Sequence, residues 1–565
     1  MKRLLLSIRH KIAPVGIFLL ASGAIFLGIQ QLASIGSPGD NSLPDLRQHA
    51  DIPLQTRLTF DESLSQQFPD DAPDAMGSTG KITSSCSAQS RGWLNQENQG
   101  LGVAMNPEQW HNLHLFMPHG SALWTNKMSA TCGETIDVHA SLVGNKKRID
   151  QSPRTIEVLR VGYYFGSGAR LVWSSVPISL KKYPMPKART ANRMVETNWP
   201  TIAQFTIGAD WTPGLYMVVS TNSNGQYENF APLIVRAPTG TSKLLLVHST
   251  ITWAAYNNFG GRSSYKGPGN PVKERSRVIS MDRPIIGSGI NHVNRDAVAL
   301  IQFLEEKGIE VDQIADTDVD RYPSLVKSYS GIILSGHPEY MTNRIFRTLM
   351  AARNNGINLA LLGSNAAYWQ VRLESSPTGQ DRRIAIYKNA LTDPVTSPSQ
   401  VSIQFNNSRI NLMPSLITGQ TTAGVHVKGA MKLISKPRWL DIPNDAVLQN
   451  WPKNTEIDSV VRGKFAPKNI KVIFSGKFEL TKMGHSPLQA KYEVLMSRSY
   501  LGQTAWFATP SGSAVFIAGV NYWACELNFS CMESTVDEGT RTTLQSVTQQ
   551  VLTLWQTKAI GKRIA

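Results

Sequence analysis

Three short segments carry side chains that a packed core would not choose. TWAAYNNFGG (252–261) follows the apolar run 244–247 and His248, GHPEY (336–340) follows the run 331–334, and NAAYWQVR (365–372) follows the run 357–362. In the second segment His337 and Glu339 stand two residues apart in a loop. An imidazole and a carboxylate at that spacing can share a metal ion, or one can act as general base. Such pairs are more often structural than catalytic, but a place directly after a buried strand favours chemistry. Tyr256 and Tyr216, taken singly, read as packing residues with a satisfied hydroxyl. Ser335-Gly336 lacks the full Gly-x-Ser-x-Gly of a nucleophile elbow. No cysteine directly follows any of the three runs, which argues against a cysteine nucleophile.

These segments converge only if their strands are parallel. The run at 244–247 is apolar without alternation, as for a strand covered on both faces, and 309–314, 330–334, 357–362 and 513–518 read as further strands. Helical patterns at 296–308 and 343–355, closed by Gly308 and Gly356, separate them, and 542–557 adds a C-terminal helix. This rhythm predicts a doubly wound α/β sheet, with ligands beyond the carboxyl ends of its strands. Short alternating strands and turns over 85–238 predict an antiparallel sandwich of immunoglobulin type. Residues 395–500 show a mixed pattern that yields no order of elements. The expected fold is therefore α+β and multidomain: residues 1–44 a basic head and transmembrane anchor, 45–84 an acidic linker, 85–238 the sandwich, and 239–565 the α/β domain.

The ends and the charge bear on location. Residues 12–39 carry no charge and include the apolar stretch 13–29, behind Lys2, Arg3, Arg9 and Lys11. That is long enough for a membrane span, with the N-terminus in the cytoplasm. The expectation is a single-pass protein of the inner membrane with its body outside; a cleaved signal peptide is the rival reading. The chain of 565 residues has a net charge of +16. Residues 45–80 are acidic, so the excess lies on the body. It suits an anionic surface, while an external location disfavours nucleic acid. Four cysteines without a Cys-x-x-Cys pair favour disulfides over zinc, with Cys525 paired to Cys531 and Cys86 to Cys132.

Taken together, the three segments resemble signature stretches of the large (beta) subunit of N,N-dimethylformamidase. VGYYFG (161–166), WTPGLY (211–216) and GVNYW (519–523) extend the resemblance over roughly residues 130 to 555. It implies a sandwich followed by a glutamine-amidotransferase-like α/β domain. It also implies a mononuclear iron held by two tyrosines and a glutamate beside a histidine. Carried over by motif, Glu339, Tyr256 and Tyr216 would be the ligands and His337 the acid/base group. Pro338, Met341 and Phe259 depart from the family pattern and point away from dimethylformamide itself as the substrate.

The expected function is an extracytoplasmic, iron-dependent hydrolase of an amide C–N bond. Trp253, Asn257, Asn365 and Trp369 would line its pocket. The competing reading is a non-catalytic protein of the same fold that binds envelope glycans or another ligand, with Trp253, Trp369 and Trp523 as stacking surfaces. Expected partners are the cytoplasmic membrane, an amide-bearing small molecule or envelope polymer, and a second copy of the chain, with no nucleic acid.

Overall fold

A computed structural model describes residues 92–105, 120–144, 149–237, 241–269, 271–463, 465–481, 500–531 and 533–565. Segments 13–29 and 45–80 and Cys86 lie outside the described residues. The fold is α+β and rich in strands, as expected.

Two sheets form the N-terminal part. One has six strands in the order Val103–Ala104, Gly168–Ser174, Thr155–Val161, Gly214–Thr221, Tyr227–Arg236, Ser129–Thr131, and only the last pair is parallel. The other has three antiparallel strands, Gly120–Thr125, Thr135–Val143 and Thr201–Thr206. Val138 and Ala140 of the small sheet share a core with Ile156, Val158, Tyr216 and Val218 of the large one. Side chains alternate across a strand, so the large sheet has a second face. Leu215, Met217 and Phe230 on that face pack with Leu300, Phe303 and Leu304 of the helix Ala299–Glu306. One apolar core thus runs from the sandwich into the α/β region.

The α/β sheet has eleven strands. Val311–Ala315, Leu244–His248, Gly331–Gly336, Asn358–Gly363 and Ala514–Ile517 lie side by side and parallel. Within Leu244–His248, Leu244 and Leu246 serve one core while Leu245 and Val247 serve another. Both faces are covered, which is why the run is uniformly apolar. The sheet then turns antiparallel through Tyr500–Ala508, Lys471–Leu480, Gln420–Gly429 and Thr455–Val460. These last strands occupy the stretch whose pattern gives no order in the sequence.

The helices are short and one-sided. Asn343–Asn354 is capped by Thr342, whose hydroxyl accepts from the Ile345 amide at 3.1 Å. Glu538–Trp555 buries Leu544, Val547, Val551 and Trp555 on one stripe and leaves Thr542, Gln549 and Thr553 exposed. Among the described residues no helix is long and apolar enough to cross a membrane. This conflicts with a single-pass inner-membrane protein, and that expectation is withdrawn. The Cys525–Cys531 disulfide is present. Cys132 is also disulfide-bonded.

Glu97, in the helix Trp93–Asn98, staples the sandwich edge. Its carboxylate accepts from Arg170 Nε at 2.7 Å and from the hydroxyls of Tyr164 and Thr212, beside the buried Arg160. Burial alone would raise this carboxyl, but Arg160 and the donors hold it down at about 2. A depressed carboxyl adds stability above its ordinary pKa, and that stability is lost as pH falls through the folded value. Glu97→Gln is therefore expected to cost about 3 kcal/mol at pH 7. The gap to the wild type should close as pH falls from about 4.5 towards 2. Urea titrations across that range measure it, and a gap that persists at pH 2 would contradict the assignment.

Candidate active site

The chain bends sharply where the parallel strands end. Gly336 has φ 65°, and a Cβ there would run into the Asp296 carboxylate; a Cβ at Gly363 would strike the Gly336 carbonyl. Two glycines at adjacent strand ends let the following loops turn over the sheet edge. The first loop carries His337 and Glu339. The second carries Asn365, itself in the left-handed region at φ 54°. The helix Thr250–Tyr256 starts after Leu244–His248, and its last residue, Tyr256, reaches the same edge.

Glu339 is the centre of the cluster and is only 2% exposed. The Tyr256 hydroxyl donates to its Oε2 at 2.7 Å, and the Tyr265 hydroxyl donates to its Oε1. Tyr265 sits in a loop pinned by Ser263, whose Oγ accepts from the amides of Tyr265 at 3.1 Å and Lys266 at 3.0 Å. Ser264 bridges to the Tyr340 hydroxyl at 3.1 Å. Burial and the Glu339 charge push the Tyr256 and Tyr265 hydroxyls well above the ordinary phenol range. Tyr256 and Tyr265 are half-buried residues on either side of the enclosed Glu339.

A second group borders the first. His337 Nε2 lies 3.1 Å from Glu456 Oε2 and 3.9 Å from Glu339 Oε2. Asn365 Nδ2 donates to Glu456 Oε2 at 2.9 Å and sits 3.0 Å from His337 Nε2, while Asn365 Oδ1 accepts from Thr422 at 2.6 Å. Burial works against a charged imidazole, yet the Glu456 carboxylate raises His337 above its ordinary value. In return His337 and Asn365 overcome burial and hold Glu456 down at about 2. Glu456 thus fixes the proton of His337 on Nε2, the nitrogen nearest the tyrosine–glutamate cluster. Nδ1 is buried without a partner. The neighbouring His292 stacks on His337 at 5.6 Å and is kept neutral, at about 4, by burial and Arg295.

Lys388 completes the wall. Its Nζ lies 3.4 Å from the Tyr265 ring centre and 4.7 Å from that of Trp369, with no hydrogen-bond partner. Burial drives this amine well below the ordinary lysine range.

The structure brings together Tyr256, His337, Glu339, Asn365 and Trp369. It does not bring Tyr216 to them. Tyr216 points into the sandwich core, donates to the Thr212 carbonyl at 2.5 Å and stacks on Trp211. Its chain neighbours Leu215 and Met217 take the face towards the α/β region, so strand parity forbids Tyr216 that side. Asn257 is also occupied elsewhere: Nδ2 donates to the Pro284 carbonyl, and Oδ1 accepts from the amides of Phe259 and Ile286. Trp253 and Trp523 are fully buried and Trp369 is 7% exposed, so none offers a sugar ring an open face. Tyr265, Glu456 and Lys388 are the members that sequence reasoning missed.

A family profile described as N,N-dimethylformamidase beta subunit-like, C-terminal, matches residues 155–538, more than half of the chain. The chain belongs to this family. A comparison with curated proteins found no match. The dimethylformamidase-like match spans every residue of the cluster, from Tyr256 to Glu456.

Proposed function

We propose that this dimethylformamidase-like chain hydrolyses an amide C–N bond with the help of an iron ion held by Tyr256, Tyr265 and Glu339. One observation carries the reading: two phenol hydroxyls from separate segments converge on the two oxygens of one buried carboxylate. Phenolate and carboxylate are hard oxygen donors of the kind ferric iron prefers. Among the described residues no group of three or more His, Cys, Asp and Glu could hold a metal ion. A cation here would therefore draw on the tyrosine oxygens. Burial and Glu339 keep both phenols protonated in a cation-free cluster, so loading should release protons.

The bound ion would supply Lewis-acid polarisation of an amide carbonyl and a more acidic water. The chain's own residues do the rest. Glu456 fixes the His337 tautomer and orientation, and Asn365 holds Glu456 from the other side. His337, with its proton held on Nε2, can then give that proton to the departing amine nitrogen. Lys388, Trp369 and Tyr340 form a largely dry wall beside Tyr265, which strengthens every polar contact there.

The test uses the purified full chain with iron, assayed for amine release from a panel of N-alkyl formamides and acetamides. About one iron per chain, as a single mononuclear site requires, together with amine release is expected. A chain that takes up no metal and cleaves no amide of the panel would end the reading.

A further inference from the structure

A small cavity lies where the small sandwich sheet meets the α/β region. Trp124, Met128, Ala254, Met281 and Ile285 give it an apolar lining, and Arg283 is the one charged residue in its wall. Arg283 is 2% exposed. Its NH2 group donates to the Asn257 carbonyl at 2.8 Å, and NH1 donates to the carbonyls of Phe259 and Arg262 at 3.1 and 3.3 Å. Its Nε has no partner. Among the described residues no carboxylate pairs with it. The adjacent Asp282 is taken by Arg382 at 2.7 Å. The indole Nε1 of Trp124, in the same wall, is also a buried donor without a partner.

A buried cation is stable only when its charge is met. Three carbonyl dipoles meet part of the Arg283 charge, and burial still pulls it down to about 9. Two buried N–H donors without partners belong to residues of this one wall, as many as a carboxylate has oxygens, and Met128, Met281 and Ile285 in the lining suit a short alkyl chain. We infer that this cavity is a binding site for a small aliphatic carboxylate, held by Arg283 Nε and Trp124 Nε1 with its alkyl chain against Met128, Met281 and Ile285. The site is separate from the Tyr256–Tyr265–Glu339 cluster, and its occupancy does not depend on what that cluster does.

Isothermal titration of the full chain with sodium butyrate at fixed ionic strength tests this, with 1-butanol as the neutral counterpart. Saturable butyrate binding is expected, with 1-butanol binding about 10- to 100-fold more weakly, the range of one or two charge-assisted hydrogen bonds. Arg283→Gln should weaken butyrate by a similar factor. Ala254→Leu, which fills the cavity and leaves the three carbonyl bonds of Arg283 in place, should do the same. It decides the matter if the Arg283 variant does not fold. No binding by the wild type, equal binding by 1-butanol, or undiminished binding by a folded Ala254→Leu variant would each overturn the assignment.

Discussion

Tyr265→Phe is expected to lose its iron, while Tyr216→Phe keeps it. The two substitutions delete the same atom, so the contrast isolates position. The Tyr265 hydroxyl donates to one oxygen of Glu339 while Tyr256 takes the other. Removing it leaves two donors of three, and the affinity for iron should fall by at least about 100-fold, beyond the upper end of outer-shell losses. A tyrosinate-to-iron absorption band should weaken with it, and amide hydrolysis should fall in step. The Tyr216 hydroxyl, by contrast, donates to the Thr212 carbonyl inside the sandwich. Its loss should cost about 1–2 kcal/mol of stability, the usual cost of a buried carbonyl left unpaired. Iron content, the absorption band and a thermal melt of both variants read the result. An iron-free Tyr216→Phe beside an iron-loaded Tyr265→Phe would place the second phenolate in the sandwich and refute the cluster described above.

That contrast also shows where the sequence informs and where it stops. The parallel strands were legible because a strand covered on both faces is an unbroken apolar run, as at 244–247 and 359–362. His337, Glu339 and Asn365 were legible because they follow such runs directly. The same double coverage hid Tyr216. All eight residues of Gly214–Thr221 are buried, so no polar alternation marks which face any of them takes. Tyr265 was illegible for another reason: it stands in a polar loop beyond Gly260-Gly261, with no periodic pattern around it. The two acids Glu456 and Asp458, on alternate positions of Thr455–Val460, look like the wet face of a strand. In the fold they are buried, with Glu456 against His337 and Asp458 accepting from the Asn365 amide at 3.0 Å. The strand Gln420–Gly429 that pairs with theirs has register shifts on both sides of Gly424, which breaks the alternation that would have ordered this stretch. Helix 296–308 begins earlier than its apolar pattern, at Ser288, because Arg295 and Asp296 are buried as a pair at 2.8 Å within a π-helical turn.

Glu456→Gln separates proton handling from metal holding. Glu456 touches none of the three ligand oxygens; its contacts are His337 Nε2 and the Asn365 amide. Gln has the same length and can keep a hydrogen bond to each, so iron content and its absorption band should stay at the wild-type level. What disappears is the negative charge that holds the proton on Nε2 and offsets the burial of an imidazolium. A histidine so deprived is a poorer proton carrier, and kcat should fall by about 100- to 10,000-fold, the usual weight of a general acid–base group. KM should change little, because Glu456 bonds to His337 and Asn365 and to none of the ligand oxygens. The corresponding loss in His337→Gln should be of similar size, and the double variant should be no worse than either single one, since the two act as a unit. Iron loss in Glu456→Gln would instead make Glu456 a part of the metal site, and multiplicative losses in the double variant would show that His337 and Glu456 act independently.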